Sequence, residues 1–221
     1  MSQKNKILIT AAIRTPIGKF LGQYKAITAP ELGAAAIKAA IQQTDCQPEY
    51  IEQIFMGCVL TAGVRQAPAR QAGIYAKLPH STQATTINKV CGSGMQAIIL
   101  AHDSIKAETS NCIIAGGMEN MTLAPYLSAT RQGHKANHTT LYDHMFMDGL
   151  EDAYTGGAMG SFAQATADEH GITREAMDDF AIQSLTRAKN AIEQGLLKAE
   201  TAPVVVKTRR ETITVVDDEQ P

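Results

Sequence analysis

Four short apolar runs alternate with helix-patterned stretches along this chain, and that alternation limits the fold more than any other feature. The runs are residues 6–12 (KILITAA), 54–59 (IFMGCV), 84–90 (ATTINKV) and 111–117 (NCIIAGG). Each has the length and composition of a buried strand. Strands separated by helices need crossover connections, which build a mainly parallel sheet covered on both faces. A chain of 221 residues, 44% hydrophobic and 19% charged, can pack one substantial α/β domain with a large excursion.

The helical stretches carry their own punctuation. Thr28 and Glu31 form a capping box, Pro30 suits a first turn, and Leu32, Ala36 and Ala40 mark an apolar face. Residues 66–78 form a second helical stretch. A third begins near Gly94, with Met95, Ile98, Ile99 and Ile105 at helical spacing. Between 118 and 157 the pattern dissolves, as expected of a functional excursion. Periodicity returns near Met159. Thr173 then caps a helix whose Met177, Phe180, Ala181, Ser184, Leu185, Ala188 and Ile192 share a face, with Gly195 as its stop. The stretches APVVVKT and ETITVV predict a terminal hairpin.

Charge and cysteine usage exclude several classes. A net charge of -2 and a pI of about 6.3 offer no footprint for nucleic acid or an anionic membrane. The pair Arg209-Arg210 reads as solvated surface. There is no signal-peptide pattern and no apolar stretch of about 18 residues, so a cytoplasmic location without membrane attachment is expected. Cys46, Cys58, Cys91 and Cys112 are widely spaced, without C-x-x-C or paired histidines. No metal site is expected, and the thiols should be reduced.

Cys91 has a setting that the other three lack. Cys58 and Cys112 sit inside strand patterns and Cys46 at a helix end before Pro48, all readable as packing thiols. Cys91 lies where a strand turns into a helix, in NKVCGSGMQA. Unpaired N–H groups and the positive dipole end of that helix favour a thiolate. Gly92 and Gly94 allow close approach of a substrate, and the same amides suit an oxyanion. A nucleophile and a buried cysteine at a tight turn both fit this pattern. GSGMQA also fits the dinucleotide turn G-x-G-x-x-A, but it follows the third strand, and the next strand ends in Gly116-Gly117 rather than an acidic residue. No base is evident for Cys91. His102 lies about 16 Å along the same helix, His80 precedes the third strand, and His134, His138, His144 and His170 fall in the excursion or at a helix end.

Taken together, INKVCGSGMQAI, AAIRTPIGKFLG, QAPARQA, IIAGGMENMTLAPY, MDGLEDAY and MGSFAQATADEHGITREAMDDFAIQS resemble the thiolases, in that family's order and over essentially the whole chain. The short-chain, biosynthetic type is the most similar. The resemblance implies an α/β fold: a βαβαβαββ unit with a mixed five-stranded sheet and an irregular loop-domain excursion. It divides the chain into a first part of the core at 1–117, the excursion at 118–157, and return helices and final strands at 158–221.

The resemblance also implies a chemistry. Cys91 would take the acetyl group of acetyl-CoA as an acyl-thioester, and a second acetyl-CoA would condense with it to acetoacetyl-CoA. The reverse is thiolysis of a 3-ketoacyl-CoA. Coenzyme A is then substrate and product, no cofactor is needed, and a homo-oligomer, dimer or tetramer, is expected. Leu150 and Met159 match residues that contact CoA in the family, although ordinary packing explains both equally well. Where the family has His-Met-Gly, this chain has Ala158-Met159-Gly160, which implies loss of a polar contact to the pantetheine. The family's Asn-Glu-Ala-Phe segment, Gly-His-Pro histidine and acid/base cysteine are expected beyond Pro221, in a carboxy-terminal domain absent from this chain. Acylation without turnover is expected of these residues alone. The competing readings are a non-catalytic remnant that binds CoA or a partner chain, and a dinucleotide-binding domain.

Overall fold

A computed structural model describes residues 6–131, 133, 136, 138–208 and 211–220. Arg209, Arg210 and His134 lie outside the described residues. The described chain forms two compact units, Met1–Leu123 with Ala199–Gln220, and Ala124–Lys198.

In the first unit, α1 (Ala29–Thr44) packs beside α2 (Pro68–Tyr75), and both cover one face of a three-stranded sheet. Its strands are β1 (Gln53–Gly57), β2 (Gln83–Ile87) and β3 (Ile113–Gly117), in the order β2-β1-β3 and all parallel. The other face carries α3 (Ser93–Lys106). Alternation along β1 explains the two cores. Ile54 and Met56 meet Ile37, Ala72 and Leu78, while Phe55 meets Ile87, Ala97 and Ala101 on the opposite side. A hairpin of β6 (Val204–Lys207) and β7 (Thr212–Val215) buries Val204, Val206 and Val215 against Tyr24, Ile27 and Leu32.

The α/β class and parallel sheet agree with the sequence reading. Three of the five expected strands pair in the central sheet among the described residues. Residues 6–12 run without a ladder partner, leaving Leu8 and Ile9 72% and 81% exposed. A strand is defined by its neighbour's hydrogen bonds, and none of the described strands offers them here. The nearest tie is a parallel bridge from Arg14 to Thr201.

Local signals act as expected. Glu31 accepts hydrogen bonds from the Thr28 N–H and hydroxyl at 2.8 and 2.7 Å. Two helix faces differ from the periodicity. α1 turns Leu32, Gly33, Ala34 and Ile37 inward. α3 turns its small residues Ala97 and Ala101 to the sheet and leaves Met95, Ile98 and Ile99 exposed.

The second unit holds a short antiparallel pair, β4 (Tyr126–Leu127) with β5 (Tyr142–Asp143), and a π-helical turn at Phe146–Leu150. Two helices follow, α4 (Met159–Glu169) and α5 (Arg174–Glu193). Thr173 accepts the Ala176 N–H at the start of α5, and Gly195 follows its end in the left-handed region at φ +69°. No residue of α5 is buried, so its apolar face lies open. No helix among the described residues is long and apolar enough to cross a membrane.

Candidate active site

Parallel α/β sheets place their functional residues beyond the carboxyl ends of the strands, where the connections diverge to opposite faces. Here β1 leads to α2 on one face, and β2 leads to α3 on the other. Gly57, Ile87 and Gly117 end their strands level with one another. The segments that follow are residues 58–60, the turn bearing Cys91, and Met118–Asn120.

Close backbone approach holds these segments together. A Cβ on Gly57 would come 2.7 Å from the Ser93 Cβ, and one on Gly117 would come 3.6 Å from the Gly94 Cα. Small residues at the start of α3 therefore let the helix amino terminus sit directly on the strand ends. The first helical bonds run from the Ser93 N–H to Val90 and from the Gln96 N–H to Gly92. The Gly94 and Met95 amides have no hydrogen-bond partner among the described residues. Cys91 lies immediately before this amide-rich end.

Cys91 is the one exposed cysteine among the four. Cys58 is buried, and burial followed by the charge of Glu119 pushes its thiol up to about 12. Burial, then the neighbouring Cys46 thiol, raises Cys112 as well. Both remain protonated and inert near neutral pH. His102 is exposed on α3 beside Asp103, 3.0 Å away, and neither it nor His80, the histidines of this unit, is hydrogen-bonded to Cys91.

Several residues that shape this region were missed by the sequence reading. Glu119 accepts the Val59 N–H at 2.7 Å, the Leu60 N–H at 3.2 Å and the Cys58 thiol at 3.8 Å. The Val59 carbonyl accepts from Asn88 Nδ2 at 3.5 Å, and Asn88 Oδ1 accepts the Val90 N–H at 3.0 Å. Glu119 is thus linked through one loop to the turn before Cys91. Asn120 donates to the Tyr24 and Ile27 carbonyls at 2.9 and 2.7 Å. An acidic residue just past a glycine-ended strand was the available signal for Glu119, but its amide partners lie about 60 positions away.

Leu150 and Met159 belong to the second unit. Leu150 is half-buried at the end of the π-helical turn. Met159 is exposed at the first position of α4, after Ala158 as its cap. Among the described residues no group of three metal-binding side chains occurs.

The chain matches the family described as "Thiolase, N-terminal domain" over residues 7–221. It is 45% identical over 217 residues to an acetyl-CoA acetyltransferase of Yarrowia lipolytica, which covers 98% of this chain and 54% of that protein. An acetyl-CoA acetyltransferase of Cupriavidus necator is 46% identical over 205 residues, 92% of this chain and 52% of that one. The crystal structure of the Bacillus anthracis acetyl-CoA acetyltransferase superposes with a TM-score of 0.92 at 33% identity, covering 96% of this chain and 54% of that chain. This chain spans about half the length of the curated relatives it matches.

Proposed function

This chain belongs to the thiolase family, and on that premise we propose that it carries the acyl-accepting step of an acetyl-CoA acetyltransferase, with Cys91 as nucleophile. The observation that supports this best is the exposure of Cys91, alone among the cysteines, at the amino terminus of α3 beyond the strand ends. The Cys91 thiolate attacks the acetyl carbonyl, the bond from that carbon to the CoA sulfur breaks, and CoA leaves as a thiol after protonation. Amides of the first helical turn favour the oxyanion formed on the way. A second acetyl-CoA then surrenders a methyl proton, attacks the acetyl carbon and releases Cys91, giving acetoacetyl-CoA. Thiolysis runs the same steps backwards.

Removing that methyl proton needs a base within about 3 Å. His80 and His102, the histidines of the first unit, make no bond to Cys91. The proposal is acylation without turnover by these residues, with the complete cycle assigned to proteins of the relatives' full length. Leu150 and Met159 are proposed as CoA contacts. A cytoplasmic homo-oligomer completes the reading, since α3 and α5 leave large apolar side chains uncovered. Sedimentation as a monomer at all concentrations would remove the oligomer from it.

Intact-mass measurement after incubation with acetyl-CoA tests the central step. One acetyl group should appear, vanish in Cys91→Ala, and be unaccompanied by catalytic loss of acetoacetyl-CoA when CoA is supplied. An unmodified wild-type chain would instead support a non-catalytic protein that binds CoA or a partner.

A further inference from the structure

We propose that Ser93 is a positioning residue whose hydroxyl holds the backbone turn that presents Cys91; this rests on the reading of Cys91 as the nucleophile. The turn contains an unusual residue. Val90 has φ +47°, and among the described non-glycine residues with positive φ it is the one with a β-branched side chain. Asp45, Lys77 and Glu108 follow helix ends, where the left-handed region is ordinary. Val90 instead precedes a helix. A β-branched residue in this region is strained and persists only where its surroundings enforce the geometry.

The enforcing group is the Ser93 hydroxyl. Its oxygen accepts the Lys89 N–H at 2.8 Å and donates its own hydrogen to the Val90 carbonyl at 2.6 Å. Asn88 takes the Val90 N–H at 3.0 Å, and the Lys89 carbonyl accepts the Gly92 N–H at 3.0 Å. Both polar groups of the strained residue are thereby held. Ser93 is 4% exposed, so water cannot replace the hydroxyl, and its Cβ packs so near Gly57 that a Cβ there would come within 2.7 Å of it. Cys91 itself has no side-chain hydrogen bond among the described residues. Its placement before α3 follows the backbone of this turn.

The test measures alkylation of Cys91 by iodoacetamide at fixed neutral pH in the full 221-residue chain. Ser93→Ala removes one oxygen and creates no clash, so the fold should persist. Alkylation should slow about tenfold, the scale expected for losing buried hydrogen bonds. Adding Val90→Gly to Ser93→Ala should restore most of the rate, because glycine adopts positive φ without a side-chain penalty. A packing role for Ser93 would not be rescued in that way. An unchanged rate in Ser93→Ala, no rescue by Val90→Gly, or concurrent labelling of buried Cys58 would each overturn the assignment. Acetyl-CoA labelling run in parallel separates the two readings. A wild-type chain that never acetylates, while the alkylation difference and its rescue persist, leaves the Ser93 assignment standing and removes the acyltransferase reading.

Discussion

Replacing Glu119 by alanine should loosen the carboxyl end of the sheet more than any other single change outside the hydrophobic core. Its carboxylate accepts two backbone N–H groups, Val59 at 2.7 Å and Leu60 at 3.2 Å, and a long contact from the Cys58 thiol. Hydrogen bonds to an ionised group contribute about 1.5–3 kcal/mol each. Glu119 is half-buried and one bond is long, so the lower end applies, giving about 3 kcal/mol for the alanine variant. A chain of this size should then melt roughly 6–12 °C lower. Glu119→Gln keeps one acceptor oxygen and turns an NH2 toward the second amide, so roughly half the loss is expected. Urea and thermal melts measure both. The link through Val59 to Asn88 adds a sharper condition: Glu119→Ala and Asn88→Ala should be less than additive, because each frees the same loop. A Glu119→Ala variant within about 0.5 kcal/mol of wild type, or full additivity with Asn88→Ala, would refute the reasoning.

Two further outcomes are expected. Limited iodoacetamide labelling near neutral pH, mapped by mass spectrometry, should mark Cys91 ahead of Cys46, Cys58 and Cys112; equal labelling while the fold persists contradicts the exposure argument. Asp218, whose side chain is 8% exposed, takes two bonds from Arg14 at 2.7 and 3.0 Å and the Ile17 N–H at 2.7 Å, and the Arg14 bonds hold its carboxyl below the usual range. Its contribution to stability is therefore complete above the carboxyl's unfolded value near 4 and is lost as pH falls through the lower folded value. Asp218→Asn should cost about 2 kcal/mol near neutral pH and flatten the acid limb of a stability–pH curve; an unchanged acid limb would show that Arg14 does not set the titration.

The elements and the candidate nucleophile were legible in the chain itself because their signals are local. The cap residues Thr28, Glu31 and Thr173, the stop at Gly195, and the strands around residues 53–57, 83–87 and 113–117 each depend on neighbours within a few positions. So does the junction at Cys91, where a strand pattern passes through glycines into a helical one. Tertiary structure decided everything that depends on a distant partner. Periodicity identified an apolar face on α3 but not its direction; the close approach of Gly57 and Gly117 selected Ala97 and Ala101 for the sheet and left Met95 and Ile98 outside. Residues 6–12 have strand composition, yet a strand exists only where another backbone supplies hydrogen bonds, and none of the described strands does. Glu119 and Ser93 look ordinary in one dimension. Their roles arise because parallel pairing brings three strand ends level, so that a carboxylate and a hydroxyl meet backbone groups which composition cannot show to be near.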